Sequence, residues 1–489
     1  MKNTILKTLV IIITVLLCVP SLMYLISNNT VDQFDSYYTY SLNGYRGENR
    51  GTIEGIVVIG LLLLYSIIYL VLLKKNKECF KSVKNVIIFI AIISLLFMLI
   101  LPFLSSDIYY YIGDAWLNSK YNQNPYYTTV QDLQDNGIND EILNNTGVWR
   151  NTTSVYGPLW NSLAKVFVTF SFGNVTLALF IFKIMALLVH LFNCYLIYKI
   201  TKDLKYTLLY GLNPLVLIEF LSNVHNDIYL VLFILLALYF LLKLNSKIFA
   251  ILFLALSIAI KYSTVLIVPF ILIYMYKDKS IPKRFAYCII SGLSIIGIVG
   301  LLYLPYYRDY TIFTNMLVQG TKYSQSILLF LMNYNNKGQA FVLISNLIIP
   351  IFLLVYCVSL IKLLFTKDIE FEKLISKYNC FMLVFIFVVI SNFQKWYILW
   401  LLPTIFWQNK YMQKFITYLT IFAIVPSFRY FVTGGDGWKE GITYSIQVLA
   451  LSAVILGGTM LINKYMKIKK LAMLYCIVSF LRFQFTFGF

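Results

Sequence analysis

The stretch NVIIFIAIISLLFMLILPFLSSDIYYYIGDAW, Asn85 to Trp116, decides the fold. Its first part, Asn85 to Leu104, is almost wholly apolar and matches the roughly twenty residues that cross a bilayer as a helix. Asp107 follows directly after Ser105 and Ser106. Side chains that normally anchor a helix at the membrane boundary are Trp, Tyr, Lys and Arg, so an aspartate there calls for another reason. Asp107 and Asp114 stand seven residues apart, which puts them on nearly one face of a helix, among aromatics. With Asn124-Pro125-Tyr126-Tyr127 beyond it, the stretch reads as one wall of a site, and the rest of the chain as the frame that holds it at the outer membrane face.

Composition supports that reading. The 489 residues are 60% hydrophobic and 12% charged, far from the mixture of a soluble domain. The net charge of +19 resolves, once mapped, into basic loops that alternate with acidic or mixed ones. Lys74, Lys75, Lys77, Lys81 and Lys84 fill one loop, and Lys277, Lys279, Lys283 and Arg284 another. Asp107, Asp114, Asp132, Asp135, Asp140 and Glu141 share an intervening one. That alternation is the positive-inside pattern and sets orientation. Nucleic-acid binding would need the bases gathered on one solvent face, so it is set aside. The seven cysteines avoid the acidic loops and form no CxxC pair, which predicts neither disulfides nor a thiolate metal site.

The fold expected is all-α and polytopic, with about thirteen to fourteen membrane segments and a large first outer loop, 105–173. Met1 to Ile26 reads as a retained first span rather than a cleaved leader, because no small-residue cleavage motif follows it. Three regions are expected: 1–84, two helices and a basic loop; 85–407, the catalytic core; and 408–489, the C-terminal helices. Within the core, Leu159 to Phe172 is too short to span and reads as an interfacial helix. Residues 206–222 and 224–244 form a hairpin whose tip is Asn223-Val224-His225-Asn226-Asp227. Residues 247–276, basic at both ends with Lys261 in the middle, read as two half-helices. A second hairpin has Asn392-Phe393-Gln394-Lys395-Trp396-Tyr397 at its tip. Absence of a clear internal repeat disfavours the inverted-repeat transporter folds.

Charge at the middle of a membrane helix costs about 2.5–3.5 kcal/mol, so the charged residues in or beside spans mark the candidate site. They are Asp107, Asp114, Glu219, Asp227, Lys261, Lys395 and Arg429, together with His225. A carboxylate at Asp107, in an apolar-walled cleft, can take a proton from a hydroxyl nucleophile. The bland alternative, a helix cap, is already served by Ser105 or Ser106. Asp114 is a substrate contact or simply a solvated acid. His225 offers a switchable proton, and Asp227 can orient it or bind substrate hydroxyls; the alternative is a polar turn. Lys261 and Lys395 can neutralise a phosphate, or else snorkel to or anchor at the interface. Neither a phosphate-binding glycine loop nor a zinc signature occurs, so no nucleotide domain and no metal is expected.

Asp107 to Tyr111, Asn124-Pro125-Tyr126, Tyr156-Gly157-Pro158-Leu159-Trp160, Asn213-Pro214-Leu215 with Glu219 and His225-Asn226-Asp227, and Lys395-Trp396-Tyr397 to Trp400 and Pro403 occur in one order. In that order the chain resembles polyprenol-phosphate-mannose-dependent alpha-1,6-mannosyltransferases, integral-membrane enzymes of the GT-C superfamily. The resemblance runs from Asn85 to about Pro403. It implies a multi-pass plasma-membrane glycosyltransferase with its active site on the extracytoplasmic face, moving a hexose from a polyprenyl-phosphate donor to a hydroxyl acceptor with inversion. Asp107 matches the usual catalytic base, and the leaving phosphate would be met by Lys261, Lys395, Arg429 or His225. Tyr156, Asp114, Asn226, Asp227, Trp396 and Tyr397 complete the expected substrate contacts. No second acid stands beside Asp107 and no DxD is present, so no metal or other cofactor is expected. Expected partners are the lipid-linked donor, a glycolipid, polysaccharide or protein acceptor, and membrane lipids, with no nucleic acid. Rival classes are a polyprenyl-linked polysaccharide polymerase or ligase, kept open by Arg308 and Arg429, and a lipid-linked sugar transporter or flippase, which would carry its charges at the midplane.

Overall fold

The computed structural model describes residues 2–27, 50–314, 326–327, 338–427 and 442–465. Among these, regular structure is helical throughout and no strand forms. Five helices are long and apolar enough to cross a membrane: Thr4–Leu22, Ile56–Lys74, Val175–Thr201, Ile281–Tyr303 and Leu347–Phe365. A further pair, Leu204–Gly211 and Pro214–Ser222, qualifies only jointly, bent by 45°, and five shorter apolar helices accompany them. The protein is thus an all-α, multi-pass membrane protein. The larger number of segments expected from the sequence counted short hairpin arms as spans and included residues 471–489, which lie outside the described residues.

Helices α1 (Lys2–Ser27), α2 (Arg50–Lys74) and α3 (Val83–Leu99) pack against one another and deliver the chain to α4, Asp107–Lys120. The polar excursion after α4 is pinned by Asp140. Its carboxylate accepts from Trp116 Nε1 (3.0 Å), Lys120 Nζ (2.7 Å), the Tyr121 hydroxyl (2.9 Å) and the Ile142 amide (2.9 Å). The excursion closes with α5, Pro158–Thr169, an amphipathic helix that buries Trp160, Ala164 and Phe167 and leaves Val166 exposed.

The long α6, Val175–Thr201, runs back across, and α7 (Leu204–Gly211) and α8 (Pro214–Ser222) return. Asn213 makes the break between them. Its Oδ1 accepts from the amides of Leu215 and Val216, and Pro214 begins the new helix where no N–H is needed. The carbonyls that the break frees at Leu209 and Leu212 are taken by the hydroxyls of Tyr69 (2.7 Å) and Tyr65 (3.1 Å) on α2. From Leu217 to Ser222 α8 is wound as a π-helix, a form enriched at functional sites.

Helix α9 (Asp227–Leu242) pairs with α10 (Lys247–Ile260), and the chain breaks at Lys261 before α11, Tyr262–Met275. Helix α12 (Ile281–Tyr303) and, over Leu347–Phe365, helix α13 (Gly338–Phe365) turn most of their apolar side chains outward, as lipid-facing helices do. Helix α14 (Phe371–Val384) continues through a π-wound segment, Phe385–Val389, to a 3-10 helix, Lys395–Trp407. α15 (Lys410–Phe422) and α16 (Ile442–Tyr465) follow. One hydrophobic core extends from Val10 on α1 to Val448 on α16.

Candidate active site

Three breaks in helical structure converge: the entry to α4, the tip between α8 and α9, and the start of the 3-10 helix at Lys395. His225 is central and fully buried. Its Nδ1 lies 3.7 Å from Asp107 Oδ2, its Nε2 lies 3.2 Å from Glu219 Oε2, and its ring stacks on Trp396 with centroids 3.7 Å apart. Glu219 also faces Lys395 Nζ at 3.3 Å and accepts from Asn223 Nδ2 at 3.0 Å. The result is a line of contacts, Asp107, His225, Glu219, Lys395, in which two acids flank the imidazole and the second also meets an ammonium.

A second pair lies alongside. Lys261 Nζ donates to both oxygens of Asp227 at 3.0 Å, and Trp400 Nε1 donates to the same carboxylate. The ammonium sits over the rings of Tyr397 (4.9 Å), Trp400 (5.5 Å) and Tyr156 (6.0 Å). Such faces hold a cation without neutralising it. Lys261 can reach this place because its backbone is extended at the break between α10 and α11. Tyr156 is set beside it by a close backbone approach at Gly157. The Gly157 amide donates to the Ile260 carbonyl (3.1 Å), and a Cβ at Gly157 would collide with the carbonyl of Ala259.

The tip itself is held in an unusual conformation. Val224 has φ +60°, a left-handed conformation that β-branched residues rarely adopt, and it is buried. Asn223 fixes the tip to the approach of α4 by accepting from the amides of Phe103 (3.2 Å) and Leu104 (3.4 Å). Asn226 is fully buried, and neither its Oδ1 nor its Nδ2 has a hydrogen-bond partner among the described residues.

Among the acids, exposure differs. The side chain of Asp107 is 16% exposed, whereas those of Glu219 and Asp227 are at 0%. Burial pushes the Asp107 carboxyl above the usual aspartate range, and His225 and Lys261 oppose that shift.

Residues 13–277, more than half of the chain, match the family described as Alpha-(1->6)-mannopyranosyltransferase, N-terminal domain. The chain belongs to this family. It is a membrane glycosyltransferase of the alpha-mannosyltransferase kind and of GT-C type. No curated protein and no solved structure is similar enough to the chain to count as a match.

In this mannosyltransferase the matched region carries Asp107, Tyr156, Glu219, His225, Asn226, Asp227 and Lys261, while Lys395, Trp396, Tyr397 and Trp400 come from beyond it. All but Asn226, which lies between His225 and Asp227 in the chain, meet in the charged cluster or its aromatic wall. Asp114 does not join it by any ion pair among the described residues. It lies two turns further along α4, buried, where desolvation drives its carboxyl well above the ordinary range. Arg429 lies outside the described residues. Sequence reasoning overlooked Lys183. A lysine a third of the way along the apolar run of α6 is a costly placement, and that cost was the available signal. It also passed over Asn223, whose clamp on residues 103–104 requires knowing that α3 and α8 end side by side.

Proposed function

We propose that the enzyme transfers mannose from a polyprenyl-phosphate donor to a hydroxyl acceptor by an inverting displacement at the extracytoplasmic face of the plasma membrane, with Asp107 as general base. The observation that carries this reading is the contrast among the three acids. Glu219 and Asp227 are sealed from solvent with cations 3.3 Å and 3.0 Å away, while Asp107 keeps an open edge and only the 3.7 Å approach of His225. An acid with a partly exposed side chain, no cation closer than 3.7 Å and a raised proton affinity is the one suited to accept a proton.

In the proposed step the acceptor oxygen attacks the anomeric carbon as its proton passes to Asp107. The bond from that carbon to the phosphate oxygen breaks, and the electron pair leaves with the polyprenyl phosphate. Inversion to an alpha linkage requires a donor whose mannose is beta-linked to phosphate. The leaving phosphate gains one negative charge while Asp107 loses one. With His225 protonated, Asp107, Glu219 and Asp227 balance His225, Lys395 and Lys261, so protonation of Asp107 leaves the cluster one positive charge to set against the phosphate.

Lys261 is the cation assigned to that phosphate. Its side chain is 17% exposed against 8% for Lys395, and its aromatic surround leaves it attractive to an anion. A lysine thereby supplies the charge that a metal ion supplies in other phosphoryl-leaving reactions, and no cofactor is invoked. The unpartnered amide of Asn226 is suited to sugar hydroxyls, and Trp396 and Tyr397 to an apolar wall for the ring. The acceptor is a cell-envelope hydroxyl compound reached from the outer face, in keeping with the polar excursion 105–173 that surrounds Asp107.

The test is transfer by the full-length protein in membranes, supplied with polyprenyl-phosphate mannose. Asp107→Asn is expected to cut transfer by about a hundredfold or more with normal accumulation of protein, the range seen for loss of a general base. Full transfer by Asp107→Asn, or efficient transfer from a nucleotide sugar without the lipid donor, overturns the reading.

A further inference from the structure

Lys183, a third of the way along α6, is a fully buried cation outside the cluster, and no carboxylate lies within ion-pair distance of it among the described residues. Its Nζ lies 2.7 Å from the carbonyl of Ile100, 3.1 Å from that of Leu221 and 2.8 Å from that of Ser222. A carbonyl only accepts, so three such bonds require three N–H groups, which only the ammonium form provides.

Those carbonyls stand where helices end. Helix α3 stops at Leu99 with Ile100 as its cap, and α8 stops at Ser222. The last carbonyls of a helix lack partners and carry the negative end of its dipole. One ammonium therefore caps two helix C-termini at once. The Ser222 hydroxyl reinforces the joint, lying 3.2 Å and 3.1 Å from the carbonyls of Ile100 and Leu101. Ser21 on α1 accepts from the Leu101 amide at 3.0 Å.

Past this joint the two chains diverge into the site. The α3 chain reaches Asp107 after Ile100, and the α8 chain reaches His225 after Ser222. Two ties hold these chains together on the way to Asp107 and His225, this joint and the Asn223 clamp on residues 103–104. We propose that Lys183 is a positioning residue: its ammonium locks the ends of α3 and α8 together and so fixes the base against His225. This rests on the reading of Asp107 as the base.

A displacement of about 1 Å at a reacting group can cost about a hundredfold in rate. Lys183→Met in the full-length enzyme is expected to lower kcat by about tenfold to a hundredfold, with KM for polyprenyl-phosphate mannose changed by less than about threefold. The acidic limb of kcat moves to higher pH, because Asp107 loses the nearby His225 charge that offsets its burial. The other groups facing Asp107 are Ser105, Lys261, Asp227, Lys395, Tyr110, Tyr111, Tyr156 and Tyr397, and the substitution removes none of them. A role in stability alone would lower the amount of active enzyme and leave the limb in place.

Lys183→Arg and Ser222→Ala serve where Lys183→Met does not fold. Arginine keeps the charge but not the three-carbonyl geometry, and alanine removes the hydroxyl from the same joint. Each is expected to lower kcat by about threefold to tenfold, with KM held. Asp107→Asn run in parallel separates the two ideas. Inactive Asp107→Asn beside wild-type kcat in the folded Lys183 and Ser222 variants overturns the positioning role alone. So does a Lys183 variant with an unshifted limb. An active Asp107→Asn overturns the base assignment instead.

Discussion

Glu219 is the acid that links His225 to Lys395, so its neutral isostere is the most informative single change. It is wholly buried, with His225 Nε2 at 3.2 Å, Lys395 Nζ at 3.3 Å and Asn223 Nδ2 at 3.0 Å. Glu219→Gln keeps the shape and an oxygen for Asn223, and removes only the charge. It takes from the ammonium of Lys395, 8% exposed, the carboxylate that contributes most to holding its charge, and leaves it the weaker influence of Asp107. Breaking a buried ion pair from one side costs about 3–5 kcal/mol, because the remaining charge stays desolvated. Removing both charges costs far less, so Glu219→Gln with Lys395→Met should recover about 2–3 kcal/mol of that loss. The measurement is unfolding of the detergent-solubilised protein by SDS titration in mixed micelles, followed by tryptophan fluorescence, for both single variants and the double. Transfer activity should not recover in parallel, because His225 still lacks the carboxylate that supports its charge beside Asp107. Single-variant losses that add to within about 0.5 kcal/mol in the double variant would mean the pair is not coupled and refute the reasoning.

Two further outcomes follow from the same geometry. The acidic limb of kcat/KM should lie above the ordinary aspartate value of 3.8, since burial raises the Asp107 carboxyl and the base works only when ionised; activity is therefore lost as pH falls through the raised value, and His225→Gln, which removes a lowering influence, should move the limb further up in a pH-rate profile. Gly157→Ala should separate Tyr156 from Lys261, because the added methyl meets the Ala259 carbonyl backbone, and the cost expected from overpacking is about 1–3 kcal/mol of stability in the same SDS titration, with a raised KM for the lipid donor.

Much of this was legible in the chain itself. Apolar run lengths and the alternation of basic and acidic loops identify a multi-pass membrane protein, since the bilayer fixes both the length of a span and the side that keeps lysine. The break at Lys261 and the bend at Asn213-Pro214 are also written locally, in a charge amid apolar residues and in a capping residue before proline. Arg429 remains a candidate by sequence alone, outside the described residues.

The partnering of charges was not legible in this way. The sequence marked Asp107, Glu219, His225, Asp227, Lys261 and Lys395 as costly, because desolvation acts on each residue by itself. Which acid is sealed by which base depends on distances between helices far apart in the chain, and only packing sets those. Tertiary structure joined Glu219 to Lys395 and Asp227 to Lys261, left Asp107 with the open edge, and moved Asp114 away from the pairs. It also turned Lys183 from an unremarked residue of a long helix into the cap of two others, because the carbonyls it binds become neighbours only when α3 and α8 end together.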